Sequence, residues 1–409
     1  MSIYKKDSFL LPDDLIYLDG NSLGPLTKAS QYRIEKVVQE QWGQNLISSW
    51  NKHDWFTLPE IVGVKIATLL KAQFGSITVC DSTSVNLYKL LHAAIQVNKN
   101  SNKSKNIILT DNLNFPTDLY IAQGILNSIN STYQLKIVDT RNCSDPTQLI
   151  LDNIDDSTAI VMLTHIGYDT GYAYKIKSLT QKTHELNCIS IWDFSHSIGA
   201  VDIDLEDLNI DFAVGSTYKY LNGGPGAPAF LYIHPKHQNI QPTISGWMGQ
   251  DNPFEFDLTY KPDTGIRKFR VGTPHILSLA ALDAALSLFE GIDMREVENT
   301  AQTLLDKFIE LIEETCPTMK ILSPKDKAIR GTQLVIEPHA KDVSAYAIMQ
   351  NLIDRNIIGD FRQPNSCRFG ITPLYISEID IDRTVAILAD ILHNKSWNQE
   401  KYLKKSLVT

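Results

Sequence analysis

A lysine set among hydroxyls and glycines is the first feature of the sequence that could do covalent chemistry. It is Lys219, in Ser216-Thr217-Tyr218-Lys219-Tyr220-Leu221-Asn222-Gly223-Gly224-Pro225-Gly226, between two apolar runs that read as strands. Taken alone, such a lysine is a solvated charge beside a flexible turn. Asp193 changes the reading. It ends the apolar run Ile189-Ser190-Ile191-Trp192-Asp193, where a carboxylate would be buried, and buried carboxylates require a partner. A third element, Asp81-Ser82-Thr83-Ser84-Val85-Asn86, offers hydroxyls and backbone N–H groups at the start of a helix-period stretch, a place that favours an anion. On its own this segment is a plain helix cap. Amine, acid and anion cup together are what pyridoxal phosphate demands: an amine to hold its aldehyde carbon, a carboxylate to keep its pyridine nitrogen protonated, and a cradle for its phosphate.

These groups must be positioned by the elements between them. Short β-branched runs at residues 107–110, 135–139, 159–164, 188–193, 212–215 and 229–233 alternate with helix-period stretches at 84–96, 117–129 and 176–186. The alternation predicts an α/β domain, a mostly parallel sheet covered by helices on both faces. The alanine- and leucine-rich run 276–289 reads as one long core helix ending at Gly291. Beyond it, an amphipathic helix (297–314), strands near 320–322 and 332–336, a helix (343–355), a short strand pair around Ile358 and Arg368, and a last helix (377–393) predict a smaller α+β C-terminal domain. The expected division is an N-terminal segment at 1–60 packing on both domains, a large cofactor-binding domain at 61–290 and a small domain at 291–409. Residues 99–105, rich in Asn, Ser and Lys, read as a surface loop.

Other chemistries fall away. With 38 Lys+Arg against 47 Asp+Glu and a net charge of −9, the chain lacks the basic balance of a phosphate-backbone binder, so no nucleic-acid partner is expected. No apolar run reaches the roughly 18 residues that span a bilayer, so no membrane partner is expected either. The start, Met1-Ser2-Ile3-Tyr4-Lys5-Lys6-Asp7, lacks the apolar core of a signal peptide, and a cytoplasmic location follows as an expectation. The 5 cysteines are odd in number, far apart and without a C-x-x-C pair; they read as reduced thiols, with no metal expected. There is no G-x-G-x-x-G and no Gly-Lys dipeptide, which removes dinucleotide and P-loop chemistry. Gly20-Asn21-Ser22-Leu23-Gly24 matches the G-x-S-x-G nucleophile elbow, but only about twenty residues precede it, too few for the strand and oxyanion loop that the elbow needs. It reads as a tight turn between a short strand at 16–19 and a helix opening at Pro25.

Several stretches taken together resemble the kynureninase family. They are Tyr17-Leu18-Asp19-Gly20-Asn21-Ser22-Leu23-Gly24-Pro25, Phe115-Pro116-Thr117-Asp118, Trp192-Asp193-Phe194-Ser195-His196, the Tyr218 to Gly226 segment and Gly246-Trp247-Met248-Gly249, and the likeness runs across residues 17–375. The resemblance implies a fold-type I pyridoxal 5′-phosphate enzyme of the aminotransferase class V superfamily, with a smaller α+β C-terminal domain. It implies a homodimer that hydrolyses L-kynurenine, and 3-hydroxy-L-kynurenine, to the corresponding anthranilate and L-alanine, in tryptophan breakdown or NAD biosynthesis. Residue by residue, it implies Lys219 as covalent holder of the cofactor and base for the α-proton, Asp193 as partner of the pyridine nitrogen, and His196 beside the ring. Thr83, Ser84, Tyr218 and Trp247 would hold the phosphate, with Phe115 stacked on the ring and Asp118 and Thr164 completing the shell. Tyr218 would also donate a proton. Thr273 would reach the site of a neighbouring subunit, and Arg368 would take the substrate carboxylate through its planar fork. Trp50, Phe56 and His275 are candidates to line the aryl pocket. Two rivals stay open. One is a cysteine desulfurase or small aminotransferase of the same fold type, with Cys367 as the thiol, although Tyr218 precedes the lysine where desulfurases carry histidine. The other is a non-catalytic binding protein that kept the fold.

Overall fold

The apolar runs that alternate with helices assemble into one seven-stranded sheet. The structure, a computed structural model, describes residues 3–101, 104–129 and 132–404. A two-residue strand near the start, β1 (Ile16–Tyr17), stands apart from that sheet. The sheet consists of β2 (Ile77–Val79), β3 (Ile107–Asp111), β4 (Gln134–Val138), β5 (Thr158–Thr164), β6 (Ile189–Asp193), β7 (Phe212–Gly215) and β8 (Phe230–Ile233), in the order β2-β8-β7-β6-β5-β3-β4. Strands β3 to β7 run parallel, β8 is antiparallel to β7, and β2 is antiparallel to β8. Every residue of β5, β6, β7 and β8 is buried, as expected where helices cover both faces. Alternation along β5 splits its side chains: Ile160 and Met162 pack with Leu87 and Leu90 of the helix Thr83–Ser101, while Val161 and Leu163 join the larger core on the other face.

Register places the chemistry. Thr164 lies opposite Asp193, and Asp193 opposite Val214, so the carboxyl ends of β5, β6 and β7 finish side by side. A parallel partner after β7 would need a long crossover, whereas the antiparallel β8 lets the chain turn back directly, which keeps Lys219 beside those ends. In open α/β sheets, ligands bind beyond the carboxyl ends of the strands.

A second sheet is built from β9 (Met319–Ile321), β10 (Gln333–Pro338) and, after the separate β11 (Ile357–Ile358), β12 (Asp360–Arg362) and β13 (Ser366–Gly370), all antiparallel, in the order β12-β13-β10-β9. The helix Met294–Thr315 packs against it, with Phe308 and Phe369 ring centroids 5.5 Å apart. The N-terminal segment ties the two regions together. β1 pairs in parallel with β11, and the following turn reaches the lysine loop, where the Gly24 N–H donates to the Tyr218 carbonyl at 2.8 Å. Only glycine fits there, because a Cβ at Gly24 would run into the Lys219 carbonyl oxygen and the Asn222 side chain.

The structure corrects several expectations. The helix expected at Pro25 begins at Lys28, because the extended Thr27 caps it by accepting from the Ser30 N–H at 2.9 Å. The helix expected over 276–289 is α-helical only over Ile276–Ala285 and tightens to a 3-10 turn over Leu286–Phe289. The strands around Ile358 and Arg368 do not pair with each other; β11 takes β1, and β13 takes β12. Residues 99–101 continue the helix Thr83–Ser101, residues 102 and 103 lie outside the described residues, and Lys105 is buried, donating to the Leu186 carbonyl at 2.6 Å rather than lying on a surface loop. The three-residue β2 and the helices Leu58–Leu69 and Pro146–Asn153 were not anticipated. Among the described residues no helix is long and apolar enough to cross a membrane.

Candidate active site

Lys219, His196, Asp193 and Asp118 meet beyond the carboxyl end of β6. Asp193 Oδ1 accepts two bonds from Ser195, from its backbone N–H at 2.8 Å and its hydroxyl at 2.6 Å. The turn that makes those bonds presents His196, whose Nε2 lies 2.8 Å from Lys219 Nζ. The Lys219 amine sits 5.8 Å from the centre of the Tyr218 ring. Asp118 is buried in the first turn of the helix Pro116–Ser128, which opens just after Phe115. The Phe115 ring stands edge-on to Tyr168 at 5.2 Å, and the Thr164 hydroxyl donates to the carbonyls of Ile166 at 3.3 Å and Asp193 at 3.4 Å.

Burial dominates the electrostatics. It pushes the Lys219 amine down to about 7, with Asp193 opposing and Arg368 and Arg362 adding to the shift. It holds His196 well below the usual histidine range, and the neighbouring Lys219 charge lowers it further. It raises the Asp193 carboxyl against the Ser195 bonds, and raises Asp118 well above the usual carboxylate range, with Asp193 adding. His196 is therefore neutral at physiological pH, while Lys219 shifts between ammonium and free amine near pH 7.

A line of hydroxyls runs from this centre to a helix N-terminus. Thr83 Oγ1 is 3.1 Å from Ser216 Oγ, which donates to Ser195 Oγ at 3.0 Å, which in turn donates to Asp193. Thr83 and Ser84 open the helix Thr83–Ser101, whose first N–H groups have no acceptor within the helix and carry its positive dipole end.

On the opposite side lies a cluster of arginines and acids. Arg368 is fully buried; its Nε and Nη2 take the two oxygens of Asp360 at 2.9 and 2.6 Å, Nη2 also donates to Ser22 Oγ at 2.8 Å, and Nη1 donates to the Tyr168 carbonyl at 2.7 Å. This modifies an expectation: the edge of Arg368 that would hold a ligand carboxylate in two parallel bonds is already occupied by Asp360. Although burial opposes it, Arg368 and then Arg362 hold the Asp360 carboxyl below its usual value.

The remaining candidates are dispersed. Trp247 is exposed, edge-on to Phe254 at 5.9 Å, and Phe254 lies 5.6 Å from Phe56. Trp50 packs on Trp55 at 5.8 Å, while Thr273 and His275 line a surface cavity with Cys80 and Asp81. Among the described residues no hydrogen bond or ring contact ties Trp247 or Thr273 to Lys219. Sequence reasoning missed Ser22, Asp360 and Arg362. Their grouping depends on the hairpin register: with Asp360 opposite Arg368, strand alternation puts Asp360, Arg362 and Arg368 on one face, with Phe361 and Cys367 on the other.

This geometry can be set beside known proteins. A kynureninase from Pseudomonas fluorescens is 41% identical over 407 residues, covering 99% of this chain and 95% of that protein. The chain belongs to the kynureninase family. Residues 297–388 also match the family described as the kynureninase C-terminal domain. Solved structures give the fold. A C-DES variant with glycine covalently linked to its PLP cofactor superposes with a TM-score of 0.82 at 18% identity, covering 94% of this chain and 99% of that one. A cysteine desulfurase from Thermococcus onnurineus NA1 superposes with a TM-score of 0.79 at 17% identity, covering 95% and 97%. The architecture is that of the fold-type I pyridoxal phosphate enzymes, which kynureninases share with desulfurases.

Proposed function

We propose that Lys219, Asp193 and Arg368 carry the kynureninase reaction in this chain, the hydrolysis of L-kynurenine, and of 3-hydroxy-L-kynurenine, to the corresponding anthranilate and L-alanine. The observation that carries the reading is the convergence of a half-buried lysine amine whose pKa is lowered to about 7 with a buried acid and a buried arginine beyond the carboxyl ends of β5, β6 and β7.

The donor set fits pyridoxal 5′-phosphate. An acid oriented by Ser195 is joined through Ser195 and Ser216 to Thr83 at a helix N-terminus, the Lys219 amine lies beside it against His196 at 2.8 Å, and the buried Nδ1 of His196 has no partner. Lys219 would hold the cofactor, Asp193 its pyridine nitrogen, and Thr83, Ser84 and Tyr218 its phosphate, with Phe115, Asp118, Thr164 and His196 around the ring. When bound, the cofactor draws electron density from the bonds to the substrate's α-carbon. The residues do the rest. Lys219, as a free amine, takes the α-proton and later returns it; Arg368 anchors the carboxylate; Tyr218 protonates the departing alanine fragment; and one water adds to the ketone carbon, so that carbon–carbon cleavage yields anthranilate and alanine. The direct test is to mix the purified protein with L-kynurenine and follow anthranilate fluorescence, whose absence would sink the reading.

The desulfurase alternative needs a reactive thiol, and Cys367 is poorly placed for that. It is fully buried on the core face of its hairpin, donates to the Ala345 carbonyl at 3.3 Å, and burial pushes its thiol far up. Cys367→Ala is expected to keep kynurenine cleavage near the parent rate. Arg368→Lys is expected to lower kcat/KM on the order of a hundredfold, because a point ammonium cannot hold both Asp360 oxygens and still offer a donor to the ligand carboxylate. Steady-state kinetics on both variants check this; sulfide release from cysteine by the parent, lost in Cys367→Ala, would reverse the assignment.

A homodimer belongs to the same reading, in the cytoplasm, where its 5 unpaired cysteines stay reduced. Trp247, Phe254, Phe256 and Leu258 form an exposed apolar run that a second copy would cover. Sedimentation of the holoenzyme is expected to give a dimer; a fully active monomer would refute it.

A further inference from the structure

The arginine cluster holds more donors than its acids use. Of the five N–H groups on Arg368, four are taken: Nε and one of Nη2 by Asp360, the other of Nη2 by Ser22, and one of Nη1 by the Tyr168 carbonyl. One N–H remains for a ligand. Arg362 differs. Only its Nη2 is engaged, with Asp360 Oδ2 at 2.6 Å and Ser22 Oγ at 3.2 Å; its Nε is buried without an acceptor, and its Nη1 has none among the described residues.

The two guanidinium groups share Asp360 and Ser22 as partners. Ser22, from the turn that resembled a nucleophile elbow, donates to Asp360 Oδ2 at 2.7 Å while accepting from both arginines. Both positive charges lower the pKa of Lys219 and of His196, so both act on the volume that holds the reacting amine. The side chain of Arg362 is 30% exposed and that of Arg368 is 0% exposed, so Arg362 is the one with room to move towards a ligand. Asp360 answers one arginine; of the other acids nearby, Asp169 is paired with Arg141 at 3.2 Å, and Asp19 has a carboxyl raised to about 7 by burial and by the Asp360 charge, with one buried oxygen lacking a hydrogen bond.

We propose that Arg362 is a substrate-binding residue, and that the substrate α-carboxylate is received jointly by the remaining Nη1 donor of Arg368 and the free donors of Arg362, with Asp360 as their fixed counter-charge. The proposal rests on the kynurenine-cleavage reading only for the identity of the substrate. The rival account is that Arg362 merely holds Asp360 in place.

The test compares two ligands of the holoenzyme that differ at the carboxylate, L-alanine and L-alaninamide, each titrated through the absorbance of the bound cofactor. Losing one charge-assisted contact weakens binding by roughly tenfold or more. Arg362→Gln is therefore expected to raise the L-alanine dissociation constant about tenfold while moving that of L-alaninamide less than about threefold, with KM for L-kynurenine rising more than kcat falls. Arg362→Lys, which keeps the charge beside Asp360 and guards against misfolding, is expected to fall between parent and Arg362→Gln. Equal weakening of both ligands, or no change in either, overturns the proposal. A parent protein that binds L-alanine in preference to L-alaninamide but does not cleave L-kynurenine would defeat the functional reading, while the ligand ratio would still decide the role of Arg362.

Discussion

Lys219→Ala is expected to give a folded protein that holds no cofactor covalently and turns over L-kynurenine on the order of a thousandfold more slowly, or worse, since one side chain is asked to be both anchor and base. Folding should survive because burial already pushes the amine to about 7, so the native structure gains little from its charge. Its departure leaves the 2.8 Å contact with His196 unmade, but His196 is neutral and loses only one hydrogen bond. Borohydride reduction of the parent followed by peptide mapping checks the anchor; label on another lysine would refute it. The depressed pKa carries a pH signature as well. A lysine is nucleophilic only when neutral, so an amine titrating near 7 is ammonium below that pH and free above it. Cofactor uptake by the apoprotein should therefore accelerate through about pH 7 and level off, whereas an ordinary lysine, with a pKa near ~10.4, would keep accelerating beyond pH 9. An uptake rate still climbing steeply above pH 9 would mean that Lys219 is solvated.

The lysine and its acid were legible in the sequence because each is locally out of place: Asp193 closes a strand whose every residue is buried, and Lys219 interrupts a hydroxyl- and glycine-rich return between two others. The parallel sheet was legible for a similar reason, since its strands are continuous apolar runs separated by helix-period stretches. What hid the arginine cluster is that its members are related by pairing rather than by pattern. Ser22 and Asp360 are 338 residues apart, and the β1–β11 pairing together with the Gly370 N–H bond to the Leu18 carbonyl at 2.6 Å carries the turn to the hairpin. Arg368 could be singled out as one charge among apolar neighbours, yet that Asp360 already occupies its side-on edge depends on a hairpin register that chain spacing alone leaves open. Lys105 misled for the converse reason: its polar neighbours suggest solvent, but its amine reaches the Leu186 carbonyl at 2.6 Å.

Asp193→Asn separates structure from chemistry at the acid. Asparagine is nearly isosteric, and its amide oxygen can still accept the 2.8 and 2.6 Å bonds from Ser195, so the turn presenting His196 should stay in place. Burial already raises the Asp193 carboxyl, so removing its charge relieves a desolvation penalty and the melting temperature should stay near the parent value or rise. What changes is the second oxygen, which becomes an NH₂ donor. A protonated pyridine nitrogen needs an acceptor and a negative charge; an amide nitrogen offers neither, and the electron sink is lost with the proton. The expected result is a stable protein that binds pyridoxal phosphate more weakly and cleaves L-kynurenine on the order of a hundredfold or more slowly, the scale found when one preorganised electrostatic partner is removed. Asp118 is not expected to rescue it, because burial, the larger cause of its raised carboxyl, remains when the Asp193 charge is gone. Calorimetry, cofactor titration and steady-state kinetics on one preparation decide the matter: near-parent turnover in Asp193→Asn would remove Asp193 from the machinery, and a collapsed melting temperature would make it a folding residue instead.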